Sequence, residues 1–322
     1  MAQPDEGFAA IVVGGSAGAL EPLQRIAADL PSDFPAAIFV ATHVPASSVS
    51  ALPHLLARSG PLFATHAIDG APVAPGRIIV APPDHHLLVE DSVMRVFRGP
   101  MENNHRPSID VLFRSAATTY MNSVCGVLLS GTLDDGVAGL LAIHEAGGKA
   151  IVQDPEDAQF PDMPRNAIRT GAVDGIYAAN DIVAAMLQWL NEPKSQPQPP
   201  SIARDEREVG APSVFTCPDC GGTLWEVDDE AVLRFRCRTG HAYSESSMLA
   251  VQSRSLETAL WAAMRTLQER YDLLRRLAVR TRRAGDTRTG QRLEHQVEEV
   301  RQDLIRVNDA ITGLITEAES LA

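Results

Sequence analysis

The sequence predicts an α/β fold with a doubly wound, mainly parallel sheet, followed by a small Cys3His module and an α-helical hairpin. Up to about residue 190, short apolar runs rich in Val and Ile alternate with amphipathic runs. This alternation is typical of parallel strands joined by crossover helices. Three of the four cysteines then cluster after a proline-rich stretch, and apolar residues recur three and four apart towards the C-terminus. That last spacing is typical of paired helices.

The strongest apolar runs predict buried strands at residues 9–14, 36–42, 124–130 and 149–153. Amphipathic runs predict helices after Gly18, Ser47, Pro107, Gly136 and Met163. Weaker runs, punctuated by Pro, Gly and Asp, lie at residues 63–67, 77–80, 86–89 and 93–97. We expect these four to form a hairpin-like insertion at one edge of the sheet.

The composition divides the chain into four regions: an α/β domain at 1–190, a Pro-rich linker at 191–213, a zinc-ribbon-like module at 214–243 and a coiled-coil-like hairpin at 244–322. The linker region holds five prolines and almost no large apolar residue. In the hairpin, the polar turn at 284–290 predicts an antiparallel pair of helices. A homodimer in which two chains form a four-helix arrangement is the alternative.

Charge and hydropathy exclude several classes of protein. No apolar run approaches the length of a membrane span and no basic, apolar leader is present, so we expect a cytoplasmic protein without direct membrane insertion. Residues 1–193 carry 10 Lys and Arg against 21 Asp and Glu. Such an acidic region would repel a phosphate backbone, which excludes nucleic-acid binding there.

A candidate nucleophile lies at the end of the first predicted strand. The spacing Gly14-x-Ser16-x-Gly18 is the strand-to-helix elbow of serine hydrolases, in which small residues expose a hydroxyl above the sheet. Glycine-rich turns of this kind also bind phosphates or serve no chemical role. Ser16 therefore needs a base and an orienting acid before it indicates catalysis.

Candidate partners follow two other predicted strands. His43 ends one, and Asp134 and Asp135 follow another, so a Ser-His-Asp triad can form at the carboxyl edge of a parallel sheet. A histidine that closes a strand is often structural, and an aspartate before a glycine is often a helix cap. Spacing alone does not choose between His43 and His105, or between Asp134 and Asp135.

Six sequence blocks settle these alternatives by resemblance. They are IVVGGSAGALEPL at 11–23, VATHVP at 40–45, PGRIIVAPPDHHL at 75–87, NHRPSIDVLFRSAA at 104–117, GVLLSGTLDDGVAGL at 126–140 and MPRNAI at 163–168. In this order they resemble the catalytic domain of the chemotaxis protein-glutamate methylesterase family, called CheB. The resemblance implies that Ser16 is the nucleophile, His43 the base and Asp135 the orienting acid.

The resemblance also implies a reaction and a partner. The enzyme would hydrolyse glutamate γ-methyl esters on a methylated chemoreceptor-like protein to glutamate and methanol, without a catalytic cofactor, and glutamine deamidation is a related possibility. Backbone N–H groups near Ala17 and Gly18 would bind the oxyanion. The rival hypotheses are a catalytically idle signalling scaffold and a small-molecule serine esterase.

Two departures from the familiar family pattern bear on this prediction. Thr132 stands where familiar members carry a methionine beside the active site, so substrate fit can differ. The chain begins at the catalytic strand without a receiver domain, from which we expect no control by phosphorylation in cis. His105 and Arg106 are candidates for substrate contacts, although we favour a structural role for both.

A metal site is predicted in the C-terminal part. Cys217-x-x-Cys220 and Cys237-x-x-x-His241 have ligand spacings that suit tetrahedral zinc, and four protein ligands leave only a structural role for the ion. The alternative is a set of ordinary buried cysteines. Cys125 lies inside an apolar strand, where we expect a core residue.

Overall fold

The computed structural model describes residues 9–47, 50–90, 93–194, 210–229 and 232–320. Contacts divide the chain into two compact units, Met1–Met248 and Leu249–Ala322. Most of the predicted linker, residues 195–209, lies outside the described residues. The proposed domain boundaries stay predictions.

The α/β part of the first unit contains the elements that position the candidate site. Its strands are β1 (Ala10–Gly15), β2 (Ala37–Thr42), β3 (Phe63–His66), β4 (Arg77–Val80), β5 (His86–Glu90), β6 (Val93–Phe97), β7 (Val124–Leu128), β8 (Lys149–Gln153) and β9 (Gly175–Tyr177). Its helices are α1 (Leu20–Asp29), α2 (Leu52–Ser59), α3 (Ile109–Tyr120), α4 (Val137–Glu145), α5 (Asp162–Arg169) and α6 (Ile182–Leu190).

The main sheet is parallel throughout, in the order β3-β4-β2-β1-β7-β8-β9. The order runs outward in both directions from β1, as a doubly wound sheet requires. Helices α1, α2 and α6 contribute to the apolar cluster on one face, and α3, α4 and α5 to the cluster on the other. Both faces are therefore covered, which explains why the strands are nearly continuous apolar runs.

The expected hairpin-like insertion is only half correct. Strands β5 and β6 pair antiparallel and form a separate two-stranded sheet, whereas β3 and β4 join the parallel sheet next to β2. Short strands at a sheet edge lose the long apolar run by which buried strands are recognised. Strand β9 and helix α6 were not predicted.

The rest of the first unit is a small antiparallel sheet in the order β10-β11-β12-β13. Its strands are β10 (Pro212–Thr216), β11 (Thr223–Asp229), β12 (Val232–Cys237) and β13 (Ala242–Ser244). Helix α7 (Glu245–Arg283) begins directly after β13, and α8 (Thr287–Ser320) follows a short turn. Within the second unit these two helices form the predicted hairpin, in which Arg282 pairs with Glu294 at 3.0 Å. No helix in the described part of the chain is both long and apolar enough to cross a membrane.

Candidate active site and metal centre

Ser16 lies directly after β1 in a tight turn that leads into α1. Its N–H donates to the carbonyl oxygen of Ser130 at 2.9 Å, which ties the turn to the segment after β7. Gly18 has a φ of +75°, a conformation that favours glycine. A Cβ atom on Gly15 would lie 2.6 Å from the Cβ of Ala19, so the turn also needs a residue without a side chain there.

The sheet order brings three predicted site residues together. Strands β2, β1 and β7 are neighbours, and His43, Ser16 and Asp135 follow their carboxyl ends. The Oγ of Ser16 lies 3.0 Å from Nδ1 of His43, and Nε2 of His43 lies 2.7 Å from Oδ2 of Asp135. The three side chains therefore form one continuous hydrogen-bonded chain, as a Ser-His-Asp triad requires.

The electrostatics of Asp135 assign the proton positions on His43. Burial would raise the pKa of the Asp135 carboxyl, but the hydrogen bond from His43 and the charges of His43 and His105 outweigh it and lower that pKa. An ionised carboxylate only accepts, so Nε2 of His43 carries the proton that lies between them. Nδ1 is then the acceptor for the Ser16 hydroxyl, which is the arrangement that a general base needs.

Asp135 is almost completely buried and is held by further donors. The side-chain amide of Asn103 donates to its Oδ1 at 2.9 Å, and the hydroxyl of Ser108 donates to the same oxygen at 2.8 Å. The backbone N–H of Ile109, at the start of α3, donates to Oδ2 at 2.7 Å. The amino end of a helix favours a negative charge, so these contacts fix the carboxylate in its ionised form.

A second buried carboxyl group lies beside the first. Asp110 accepts from the N–H groups of Gly136 and Gly139 at 3.0 and 2.7 Å, and from Asn103 at 2.9 Å. Burial, followed by the negative charge of Asp135, raises the pKa of Asp110 to about 7. Asn103 thus donates one N–H to each carboxyl group and lies between them.

The other predicted residues fall into two groups. The ring of His105 stacks on that of His43 with centroids 3.5 Å apart, next to the triad. Arg106 instead pairs with Asp84 at 2.5 Å, a structural contact. Thr132 is exposed and Ala17 and Gly18 are partly exposed. Among the described residues, no acceptor engages the N–H groups of Ala17 and Gly18, so both are available as hydrogen-bond donors.

The four predicted metal ligands also lie together. One candidate ligand atom from each of Cys217, Cys220, Cys237 and His241 lies within 4.8 Å of the others. The sulfurs of Cys220 and Cys237 are 3.6 Å apart, and the sulfur of Cys237 lies 3.6 Å from Nδ1 of His241. Tetrahedral zinc with bonds of about 2.3 Å to sulfur would place two sulfurs ~3.8 Å apart. A disulfide needs about 2.05 Å, so these distances fit shared coordination of an ion and exclude a bond between these sulfurs.

Two tight turns shape this cluster. Gly221 donates its N–H to the carbonyl of Cys217 at 2.9 Å, and Gly240 donates to the carbonyl of Cys237 at 3.0 Å. Both glycines have positive φ, +70° and +104°. The hydroxyl of Tyr243 donates to Asp219 at 2.5 Å next to the cluster, so the surroundings of the ligands are also ordered.

Sequence reasoning missed the residues that support Asp135. Asn103, Ser108 and Asp110 have no spacing that relates them to a residue so distant in sequence. The only available signal was the density of polar residues in the segment NNHRPSID just before a predicted helix. Such a segment would normally be interpreted as a loop with a helix cap.

Comparison with known proteins gives relatives of the α/β part. The family model described as CheB methylesterase matches residues 11–186. A protein of Rhizobium johnstonii, named protein-glutamate methylesterase/protein-glutamine glutaminase 2, is 35% identical over 181 residues, or 55% of this chain and 49% of that protein. A protein of the same name from Anaeromyxobacter dehalogenans is 36% identical over 176 residues, or 55% of this chain and 52% of its own. The chain spans about half the length of these relatives.

A solved structure is similar to the same region. The crystal structure of the Thermotoga maritima CheB methylesterase catalytic domain matches with a TM-score of 0.55 and 30% sequence identity. The match covers 56% of this chain and 98% of that domain. The parallel-sheet core is therefore the part of the molecule that resembles known proteins.

Proposed function

Because the chain belongs to the CheB methylesterase family, we propose that it hydrolyses glutamate γ-methyl esters on a methylated chemoreceptor-like protein. The observation that carries this proposal is the hydrogen-bonded chain from Ser16 through His43 to Asp135. The names of the relatives support glutamate methyl esters as the substrate and glutamine side chains as a second one. Both reactions pass through a tetrahedral intermediate, and loss of methanol from one or of ammonia from the other gives the same acyl-enzyme.

In the first half of the reaction, the Oγ of Ser16 attacks the ester carbonyl carbon while Nδ1 of His43 takes the hydroxyl proton. Asp135 stabilises the imidazolium that forms, because its carboxylate accepts from Nε2 at 2.7 Å. The N–H groups of Ala17 and Gly18 supply donors for the oxyanion. The intermediate then collapses, and the proton on Nδ1 passes to the departing methoxide to give methanol.

In the second half, water attacks the acyl group on Ser16 while Nδ1 of His43 removes its proton. Collapse of this intermediate releases the glutamate side chain, and the proton returns to the Oγ of Ser16. The stacked ring of His105, 3.5 Å from that of His43, keeps the imidazole in one orientation through both halves. No step requires a cofactor.

The test is methanol release from a methylated receptor by the purified protein and by Ser16→Ala. We expect the substitution to lower kcat about ten-thousandfold, because it removes the nucleophile. Ser123→Ala is the matched control, since the Ser123 hydroxyl contacts only Asn122 in the described structure and lies outside the triad. Equal release by wild type and Ser16→Ala would favour the idle scaffold. Cleavage of simple esters without cleavage of the receptor would favour a small-molecule esterase.

We also propose that the cysteine cluster binds one structural zinc ion. Cys217, Cys220, Cys237 and His241 would supply all four ligands, so the ion would hold the β10–β13 sheet together without a place for substrate. The distances between the ligand atoms and the two glycine turns support this proposal.

Metal analysis of protein purified without chelator tests the zinc proposal. We expect about one zinc per chain, lost in Cys217→Ser because three ligands bind zinc far more weakly than four. Cys125→Ala is the control, since Cys125 is buried in β7 and belongs to the other sheet. A metal-free wild type, or equal metal in both variants, would contradict the proposal. Homodimer formation through the C-terminal helices stays a prediction.

A further inference from the structure

Residues 101–105 form one of the segments through which the β10–β13 sheet contacts the α/β part. The N–H of Asn103 donates to the carbonyl of Ala242 at 2.8 Å, and the N–H of Ala242 donates to Met101 at 3.3 Å. This segment also carries His105, whose ring stacks on His43. The cysteine-containing sheet is therefore bonded to a segment that belongs to the candidate active site.

The side chain of Asn103 is the point at which the two parts meet. It is only 5% exposed, and all four of its hydrogen-bonding positions are used. Its amide nitrogen donates to Asp135 and Asp110, each at 2.9 Å. Its carbonyl oxygen accepts from the N–H of Ser244 at 2.9 Å and lies 3.1 Å from the hydroxyl of Ser247.

The backbone at this position supports a positioning role. Asn103 has a φ of +51° and Asn104 a φ of +64°, a region that Asn tolerates better than most residues but that still costs free energy. Tertiary contacts must therefore hold this conformation. Ser244 and Ser247 provide these contacts at the carbonyl oxygen of the Asn103 side chain. Asp135 and Asp110 provide them at its amide nitrogen.

Ser244 and Ser247 are themselves fixed by the start of α7. The hydroxyl of Ser244 accepts from the N–H of Ser247 at 3.1 Å, which is the contact of a helix N-cap, and donates to Asp134 at 2.5 Å. Both serines are buried. The carbonyl oxygen of the Asn103 side chain is thus held by residues at the start of α7, which directly follows β13.

We propose that Asn103 is a positioning residue through which the β13–α7 junction holds the catalytic acid in place. The junction would fix the carbonyl end of the Asn103 amide, and the two N–H groups at the other end would orient Asp135 and keep it apart from Asp110. This inference rests on the proposed function, because it assigns Asp135 the role of catalytic acid. It makes the β13–α7 junction a structural part of the candidate methylesterase site.

The first test measures kcat and KM of the full chain on a synthetic peptide with one glutamate γ-methyl ester. Asn103→Ala removes a donor to a buried carboxylate, so we expect kcat to fall about ten- to a hundredfold with KM nearly unchanged. Asn103→Asp keeps the shape but turns an oxygen towards two carboxyl groups, and we expect at least the same loss. Wild-type kcat in both variants would overturn the proposal.

The second test asks whether the β13–α7 junction influences kcat through Asn103. Ser247→Ala should lower kcat about threefold in the wild-type background and have no further effect in Asn103→Ala, because coupled residues are not additive. Ser213→Ala is the control, since this partly buried hydroxyl bonds within the β10–β13 sheet to the carbonyl of Leu224 at 2.9 Å. Equal effects of Ser247→Ala in both backgrounds would overturn the role of the junction.

A spectroscopic measurement separates this inference from the proposed function. The proton between Nε2 of His43 and Asp135 should give a far-downfield NMR signal in the wild type that is lost in Asp135→Ala. We expect Asn103→Ala to move this signal upfield, since the carboxylate is no longer held. An unmoved signal would overturn the proposal. A wild type that releases no methanol would contradict the proposed function, while the NMR comparison would still decide the role of Asn103.

Discussion

The candidate triad and the cysteine cluster are assembled in opposite ways. Ser16 and His43 are 27 residues apart in sequence, and His43 and Asp135 are 92 apart, so only the order of the parallel sheet brings them together. The four metal-ligating candidates come from two short turns within one small sheet. The first site therefore depends on a large apolar core, whereas the second can stabilise a sheet too small to have one.

We therefore expect the largest effect, a loss of activity, when one charge of the candidate triad is removed. Asp135→Asn should lower kcat about ten-thousandfold on a methylated receptor, because the amide cannot stabilise the imidazolium and favours the wrong tautomer of His43. The neighbouring Asp134→Asn is the matched control. Asp134 accepts from Ser244, and in the described structure the hydrogen bonds of His43 go to Ser16 and Asp135 instead, so we expect no more than about a threefold loss. Similar losses in the two variants would contradict the assignment of the acid.

The stability of the cysteine-containing sheet should depend instead on the proposed zinc ion. Removal of metal by a chelator should speed amide hydrogen exchange in β11 and β12 on the order of a thousandfold, because binding energy of the ion is folding energy for such a sheet. Strands β1, β2 and β7, whose residues are buried on both faces, should keep their protection. Equal loss of protection in both sheets would show that the two regions fold as one unit.

The same contrast explains what the sequence alone can predict. The candidate ligands Cys217, Cys220, Cys237 and His241 follow from spacing, because residues that lie close together in sequence leave a local pattern. Ser16 follows from its turn only as a candidate, and resemblance rather than spacing selected His43 and Asp135. Asn103 was missed because its partners come from α3, the segment after β7 and the start of α7, which no sequence period relates.

The fold, like the site, is predictable from sequence only where the pattern is local. The long buried strands β1, β2, β7 and β8 were predicted from apolar runs, and the structure contains each of them. Strands β3 and β4 were placed in an insertion because each is only four residues long and is bounded by turn residues, although β4 lies inside the sheet between β3 and β2. Pairing in a parallel sheet depends on residues far apart in sequence, so the position of a short strand cannot be derived from its own composition.

A buried ion pair links the α/β part to the cysteine-containing sheet. We expect its removal to have an intermediate effect on stability. Glu102 pairs with Arg114 of α3 at 2.7 Å and lies 3.8 Å from Arg236 of β12. Burial would raise the pKa of Glu102, but the charges of Arg114, Arg236 and Arg234 outweigh it and lower that pKa. Its contribution to stability is therefore present above its ordinary pKa of 4.5 and is lost as the pH falls below that value.

Glu102→Gln should lower the free energy of unfolding of the first unit by about 3 kcal/mol at neutral pH, because it leaves Arg114 without its buried carboxylate. The loss should shrink as the pH falls from 4.5 towards the lower pKa of Glu102 in the folded protein, because the unfolded wild-type chain takes up the proton first. Denaturant unfolding at several pH values measures this. The control is Glu90→Gln, whose pair with Arg95 is half exposed, so the expected change is under ~1 kcal/mol. A constant difference between wild type and Glu102→Gln down to low pH would contradict the electrostatic explanation.

Two glycines allow the smallest and most closely matched comparison. Gly18, beside Ser16, and Gly221, beside Cys220, have nearly the same φ, +75° and +70°. A Cβ on Gly221 would meet no atom within 4 Å, so Gly221→Ala should cost only the backbone strain of about 1 kcal/mol. A Cβ on Gly18 would lie 2.6 Å from the Oγ of Ser130, which donates to the carbonyl of Ala17 at 2.8 Å. Gly18→Ala should therefore cost about 2 kcal/mol and also displace the N–H groups offered to the oxyanion. Thermal unfolding of both variants, with kcat measured alongside, tests this, and equal costs would mean that packing does not constrain the turn at Ser16.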